Sequence, residues 1–296
     1  MNRGVRARRL LRPSRRRAAA AALLLLGLSA CGTTKPTGPS PAANVVNYTV
    51  IGASDAIGFG SSVICIPFIP CPNGNGYVQI MGRRFTTDGK ALTLVNLGLP
   101  GAVLSPSIEA IGDGIGRDII GNFLEREVPF VPRETTLVTV FAGANDVNTI
   151  GAALQAGLGG SNPAAYVAAQ VQNFGRDMRA LITGIRDRAA NPRIVILNLP
   201  NMAAMPYASG LSLLEKQVLQ AISVGFSAEI NALTAQGVLI VDLMCEGGMY
   251  QPGIYSGDGF HPNDTGYARL ADLVYPPAST GSGTPPRASC PQMTIF

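Results

Sequence analysis

His261 is the only histidine in the chain, and it stands three residues after Asp258 in the stretch Asp258-Gly259-Phe260-His261-Pro262. An imidazole works as a general base near neutral pH when a carboxylate takes the proton of its far nitrogen, fixing the tautomer and stabilising the charged form. Asp258 can supply that carboxylate if the loop curls. Asp264 competes for the role but falls inside the helical pattern that follows. A base of this kind needs a nucleophile. Ser54, in Gly52-Ala53-Ser54-Asp55, follows an apolar run and lies among small residues, so a tight turn there would expose its hydroxyl. A helix or turn starting at that point aims backbone N–H groups at the place where an oxyanion would form. Two more apolar runs end in candidate donors: the backbone N–H of Gly98 and the side-chain amide of Asn145. Taken singly, each has an ordinary structural use, as a helix cap, a turn glycine or an Asx turn. In combination they describe nucleophilic acyl transfer. A single histidine and no Cys–His cluster supply no zinc set, and nothing calls for a cofactor.

These residues must be held by something. Val45–Ile51, Leu92–Asn96, Thr136–Phe141, Arg193–Leu199 and Val238–Leu243 are short and rich in Val, Ile and Leu, which predicts strands covered on both faces. Between them, Ala164–Arg188 repeats apolar residues at spacings of three and four, and Leu211–Leu233 and Pro262–Val274 do so less clearly. The alternation predicts a parallel sheet with helices on both sides. In such sheets the chemistry gathers at the carboxyl ends of the strands, where all four candidate stretches fall. Residues 276–286 are rich in Pro, Gly, Ser and Thr, and end the regular pattern.

The four stretches together resemble the blocks of the SGNH (GDSL-like) hydrolase family, from about Val45 to Tyr275. Gly143-x-Asn145-Asp146 and Asp258-x-x-His261-Pro262 are close to the family patterns. The first block departs from them: the family usually has Gly-Asp-Ser-Leu, and this chain has Gly52-Ala53-Ser54-Asp55, keeping the later Gly58. The resemblance implies a three-layer α/β/α sandwich around a five-stranded, mainly parallel, flavodoxin-like sheet in a domain over 45–276. It also implies roles: Ser54 as nucleophile, His261 as base, Asp258 as its orienting partner, and an oxyanion hole from Ser54, Gly98 and Asn145. The implied activity is an esterase or lipase acting on small-molecule or lipid esters through an acyl-enzyme. A carbohydrate O-deacetylase with the same triad, or a non-catalytic envelope lipoprotein of this fold, stays open beside it.

The first 17 residues carry eight arginines and no acid, Ala18–Leu28 is apolar, and Leu28-Ser29-Ala30-Cys31 follows. Eleven apolar residues are too few to cross a bilayer, which takes roughly 20, so residues 1–31 are expected to be a secretion signal. The ending resembles a bacterial lipobox, which implies cleavage before Cys31 and acylation of that residue. Residues 32–44 are small and Pro-rich, and predict a flexible tether. The expected location is the bacterial cell envelope, with the membrane as a partner through the anchor. Gly32 lacks the Asp associated with inner-membrane retention in some bacteria, which points to the outer membrane where one exists. The formal charge of +5 also belongs to this segment: without its eight arginines the balance of 23 basic and 18 acidic residues becomes −3. The mature chain therefore carries no basic excess for nucleic acid.

Four cysteines remain, and outside the cytoplasm they are expected to be oxidised. Of three pairings in principle, Cys65–Cys71 closes a short local loop and Cys245–Cys290 would staple the tail of 277–296 to the segment after the fifth strand. The small loop carries Ile64, Ile66, Phe68 and Ile69. Its expected uses are an acyl pocket, a contact with lipid, or plain packing on the domain.

Overall fold

The computed structural model describes residues 44–67 and 69–296, so the signal, Cys31, most of the tether and Phe68 lie outside the described residues. Five parallel strands form one sheet in the order β2-β1-β3-β4-β5: β1 Val45–Gly52, β2 Ala91–Asn96, β3 Leu137–Phe141, β4 Arg193–Leu197 and β5 Leu239–Val241. Each lies on the predicted segment. β3 and β4 are buried almost throughout, as the continuous apolar runs require. β2 is different. It is an edge strand with Ala91 and Thr93 exposed, so one of the five runs is not covered on both faces.

Among the described residues seven α-helices surround the sheet: α1 Tyr77–Thr87, α2 Pro106–Gly114, α3 Phe123–Arg126, α4 Ala144–Gln155, α5 Pro163–Arg188, α6 Leu213–Ala232 and α7 Asp264–Thr280. The β1-to-β2 connection runs one way along the sheet, and the later connections run the other way. Right-handed crossovers therefore put α1 on one face and α2–α6 on the other, and α7 packs beside α1. The reversal falls between β1 and β3. That crevice is where open α/β sheets bind ligands, and the chain reaches it directly after Gly52 and Phe141.

α7 runs six residues past Val274, through Pro276 and Pro277. Those prolines remove two helix donors. The helix survives because Arg193 Nη1 donates to the carbonyls of Ala278 at 2.5 Å and Ser279 at 3.1 Å, and because Gly281 closes the end with φ +77°. The chain beyond it returns to the body. Both expected disulfides are present, Cys65–Cys71 and Cys245–Cys290. Gln220 Oε1 on α6 accepts from the N–H groups of Ile295 and Phe296 at 2.9 and 3.1 Å.

Candidate active site

Ser54 opens a short 3-10 turn, Ser54–Ile57, directly after β1, and is only 6% exposed. Its Oγ lies 2.8 Å from His261 Nε2, and His261 Nδ1 lies 2.6 Å from Asp258 Oδ2. The loop before α7 curls as the Asp–His spacing requires. Tyr255 and Pro262 form an antiparallel bridge, and the Ser256 N–H donates to the His261 carbonyl at 2.8 Å. Inside that loop Asp258 Oδ1 accepts from the backbone N–H groups of Phe260 and His261, both at 2.9 Å, and from Ser256 Oγ at 2.8 Å. Burial opposes charge on Asp258. The bonds from the imidazole, the two N–H groups and Ser256 outweigh it and hold the carboxyl well below the usual carboxylate range. Asp264 does other work: as the first residue of α7 it accepts from the backbone and hydroxyl of Ser62 at 2.7 and 2.6 Å.

The β1–α1 loop comes close to this histidine. A Cβ on Gly60 would stand 2.9 Å from His261 Cβ and 2.7 Å from the Pro262 carbonyl, at a φ of +90° that side chains rarely adopt. Glycine is the residue that fits. The rings of Phe59 and Phe260 lie 4.6 and 4.8 Å from the imidazole centroid. Neither ring was singled out by the sequence, because lone phenylalanines carry no chemical signature.

Asn145, the second residue of α4, lines a recess of about 10 Å³ together with Ser54, Ala102 and Phe260. One amide proton goes to the Ala102 carbonyl at 2.9 Å, which aims the side chain; the amide has a second proton to give. Gly98 does not meet the expectation set for it. Its N–H donates to Asn96 Oδ1 at 3.0 Å, and a Cβ there would meet Ala56 Cβ at 2.6 Å, so this glycine permits close packing rather than offering a free donor. It is also missing from the walls of the recess. The adjoining Leu99–Ala102 turn, with Gly101 at φ +80°, brings Ala102 there instead.

Glu127 was not anticipated either. It is fully buried, and its Oε2 accepts from the N–H of Gly52 at 2.9 Å, two residues before the serine. Burial pushes its carboxyl well above the usual range, against the Gly52 and Leu99 N–H groups that favour charge. Nothing near Glu127 in sequence distinguishes it from a surface acid. Asp55, where the family usually has Leu, also lines the recess. Burial raises its carboxyl, opposed by the facing His261 and by the Tyr267 hydroxyl at 3.5 Å.

The disulfide loop does not line that recess. Ile66 and Ile69 are 64% and 59% exposed and border an open groove over α1 and the edge strand β2. Among the described residues, no group of three or more His, Cys, Asp or Glu could hold a metal ion.

Many solved structures share this architecture. The lipase Lip_vut3 from a goat rumen metagenome aligns with a TM-score of 0.53 and 17% identity, over 79% of this chain and 97% of its own. A putative GDSL-like lipase from Parabacteroides merdae aligns with a TM-score of 0.52 and 16% identity, over 81% and 99%. At such identities the likeness concerns the fold. No curated protein matches the chain in sequence. The model of the GDSL-like lipase/acylhydrolase family matches residues 50–269, a span that runs from the end of β1 to α7 and contains Ser54, Asn145, Asp258 and His261. By that match the chain belongs to the GDSL-like lipase/acylhydrolase family.

Proposed function

We propose that the chain hydrolyses carboxylic esters through an acyl-enzyme on Ser54. The observation that carries this reading is the unbroken hydrogen-bonded series from Ser54 Oγ through His261 to Asp258. A carboxylate held ionised can only accept, so His261 Nδ1 bears the proton and Nε2 presents its lone pair to the serine hydroxyl. Ser54 Oγ attacks the ester carbonyl carbon as its proton passes to Nε2. The carbonyl oxygen becomes an oxyanion in the recess, facing the Ser54 N–H and the free proton of the Asn145 amide. The carbon–oxygen bond to the alcohol then breaks, and His261 returns the proton to the leaving oxygen. Water repeats the sequence on the acyl-serine and releases the acid.

The test is a panel of p-nitrophenyl esters and acetylated sugars, with Ser54→Ala as control. Ester hydrolysis that vanishes in Ser54→Ala supports the reading. Release of acetate from sugars with no hydrolysis of simple esters would make the protein a deacetylase, and no turnover by the wild type would remove the enzyme reading. The basic start, apolar run and Cys31 support export with a lipid anchor as part of the same proposal. Mass spectrometry of the native N-terminus checks it, with an acylated Cys31 expected and an unmodified residue overturning it.

A further inference from the structure

The recess at Ser54 has room for an oxyanion-sized atom and little more. An ester's acyl chain must go elsewhere. One helical turn beyond Asn145 on α4, Asn148 begins the wall of a groove of about 400 Å³ between α4 and the start of α6, which is within the size range of small-molecule sites. Asn148, Gly151, Ala152 and Gln155 recur at helical spacing, so the face of α4 that presents the Asn145 amide continues along the groove. The step between the two cavities is flanked by Tyr207. Its hydroxyl donates to Asn148 Oδ1 at 3.0 Å, and its ring stands edge-on to Phe260 at 5.1 Å, beside the imidazole. The lining is mostly apolar, with Leu219 and Val218 on the α6 side, and the Arg117 guanidinium stands on the wall near Tyr207. The far end is crossed by a hydrogen bond from Gln155 Nε2 to Glu215 Oε1 at 2.8 Å.

We propose that this groove holds the acyl chain of the substrate and selects esters of medium length. The proposal rests on Ser54 being the nucleophile. From Asn148 to Gln155 the helix rises about 10 Å, which fits an extended chain of about eight carbons at roughly 1.3 Å per carbon. Each methylene taken from water into such a groove is worth about threefold to fourfold in kcat/KM until the groove is full.

Gly151 is the place to plug it. A Cβ at this position would make ordinary contact with Leu219 at 3.5 Å, so the helix accepts a side chain whose remainder occupies the groove. The experiment measures kcat/KM for acetyl, butyryl, octanoyl and dodecanoyl p-nitrophenyl esters in wild type, Gly151→Leu and, from the facing helix, Val218→Phe. Circular dichroism and oligomeric mass are recorded for each. The expected result is a wild-type optimum near octanoyl and an octanoyl-to-acetyl ratio lowered at least tenfold in a folded variant. An unchanged ratio in both variants overturns the proposal, also when their oligomeric mass shifts, which would make the groove a self-association face. A wild type with no ester turnover and no labelling of Ser54 by a fluorophosphonate would instead overturn the hydrolase reading beneath it.

Discussion

An ionised carboxylate beside a histidine settles which ring nitrogen is free to act, and the account depends on that at the scale of single residues. Asn in place of Asp258 keeps the shape but offers an amide N–H to Nδ1, which moves the imidazole proton to Nε2. Asp258→Asn is therefore expected to lower kcat by a factor on the order of 10³–10⁴ in a variant that still folds. A steady-state assay beside a thermal melt checks this; a variant within tenfold of wild type would remove Asp258 from the mechanism. Asn145 has a narrower task. Its free amide proton meets charge that exists only in the transition state, so Asn145→Ala should cost about 10²–10³ in kcat and leave KM nearly unchanged. A rise in KM alone would assign it to ground-state binding. Most of these residues were legible because chemistry restricts their types: a sole histidine and an Asp three residues before it are conspicuous in a chain of 296. Gly98 was misjudged because a glycine's side of a contact is invisible in sequence; what decides its use is the Asn96 carboxamide folding back onto its N–H.

At the scale of elements, the strand ends hold the site, and Glu127 ties one of them down. Replacing it with Ala leaves the Gly52 N–H buried and without an acceptor, a cost of about 1–3 kcal/mol. Because Gly52 leads into Ser54, kcat should fall as well, while Glu127→Gln, which keeps a carbonyl acceptor, should restore both. Denaturant titration and kcat of the two variants decide this; equal loss in both would show that the charge rather than the acceptor matters. All five strands were legible from apolar composition, whereas only α5, α6 and α7 were singled out among the helices. α1, α2 and α4 are short, at 11, 9 and 12 residues against 26, 20 and 17 for α5, α6 and α7, so fewer turns are there to show the helical period. Gly82 and Gly112 mark close approach. A Cβ at Gly82 would meet Leu92 at 3.2 Å, and one at Gly112 would meet Ile119 at 2.5 Å. The extension of α7 past two prolines was unreadable because the group that holds its last carbonyls, Arg193, comes from β4.

At the scale of the whole molecule, buried acids shape the dependence of stability on pH. Asp146 is 1% exposed, and burial pushes its carboxyl up to about 7, against the Leu104 N–H that donates to it at 3.0 Å. In the unfolded chain it titrates near 4. Between about pH 4 and 7 the unfolded state has lost this proton and the folded state keeps it, so this group lowers stability as pH rises through that window. Asp258, with its carboxyl depressed, acts in the other direction and lower down, where stability is lost as pH falls below about 4. Asp146→Asn keeps an acceptor for Leu104 and removes this titration, so in denaturant titrations its stability should fall less steeply than that of wild type between pH 4.5 and 7. Parallel slopes for the two proteins would contradict the assignment. The tail is held covalently by Cys245–Cys290 and also by hydrogen bonds that include those to Gln220 on α6. The disulfide was legible as one of three pairings, but the second hold was not, since nothing in the tail's composition names a partner on α6.

The central claim is that His261 and Asp258 activate Ser54 as a nucleophile, and chemical labelling tests it most directly. The folded protein is treated with a fluorophosphonate, digested and mapped by mass spectrometry. The account predicts phosphonylation at Ser54, with labelling greatly slowed in His261→Ala and abolished in Ser54→Ala. A folded wild type that stays unlabelled, or one labelled at another residue, would contradict it.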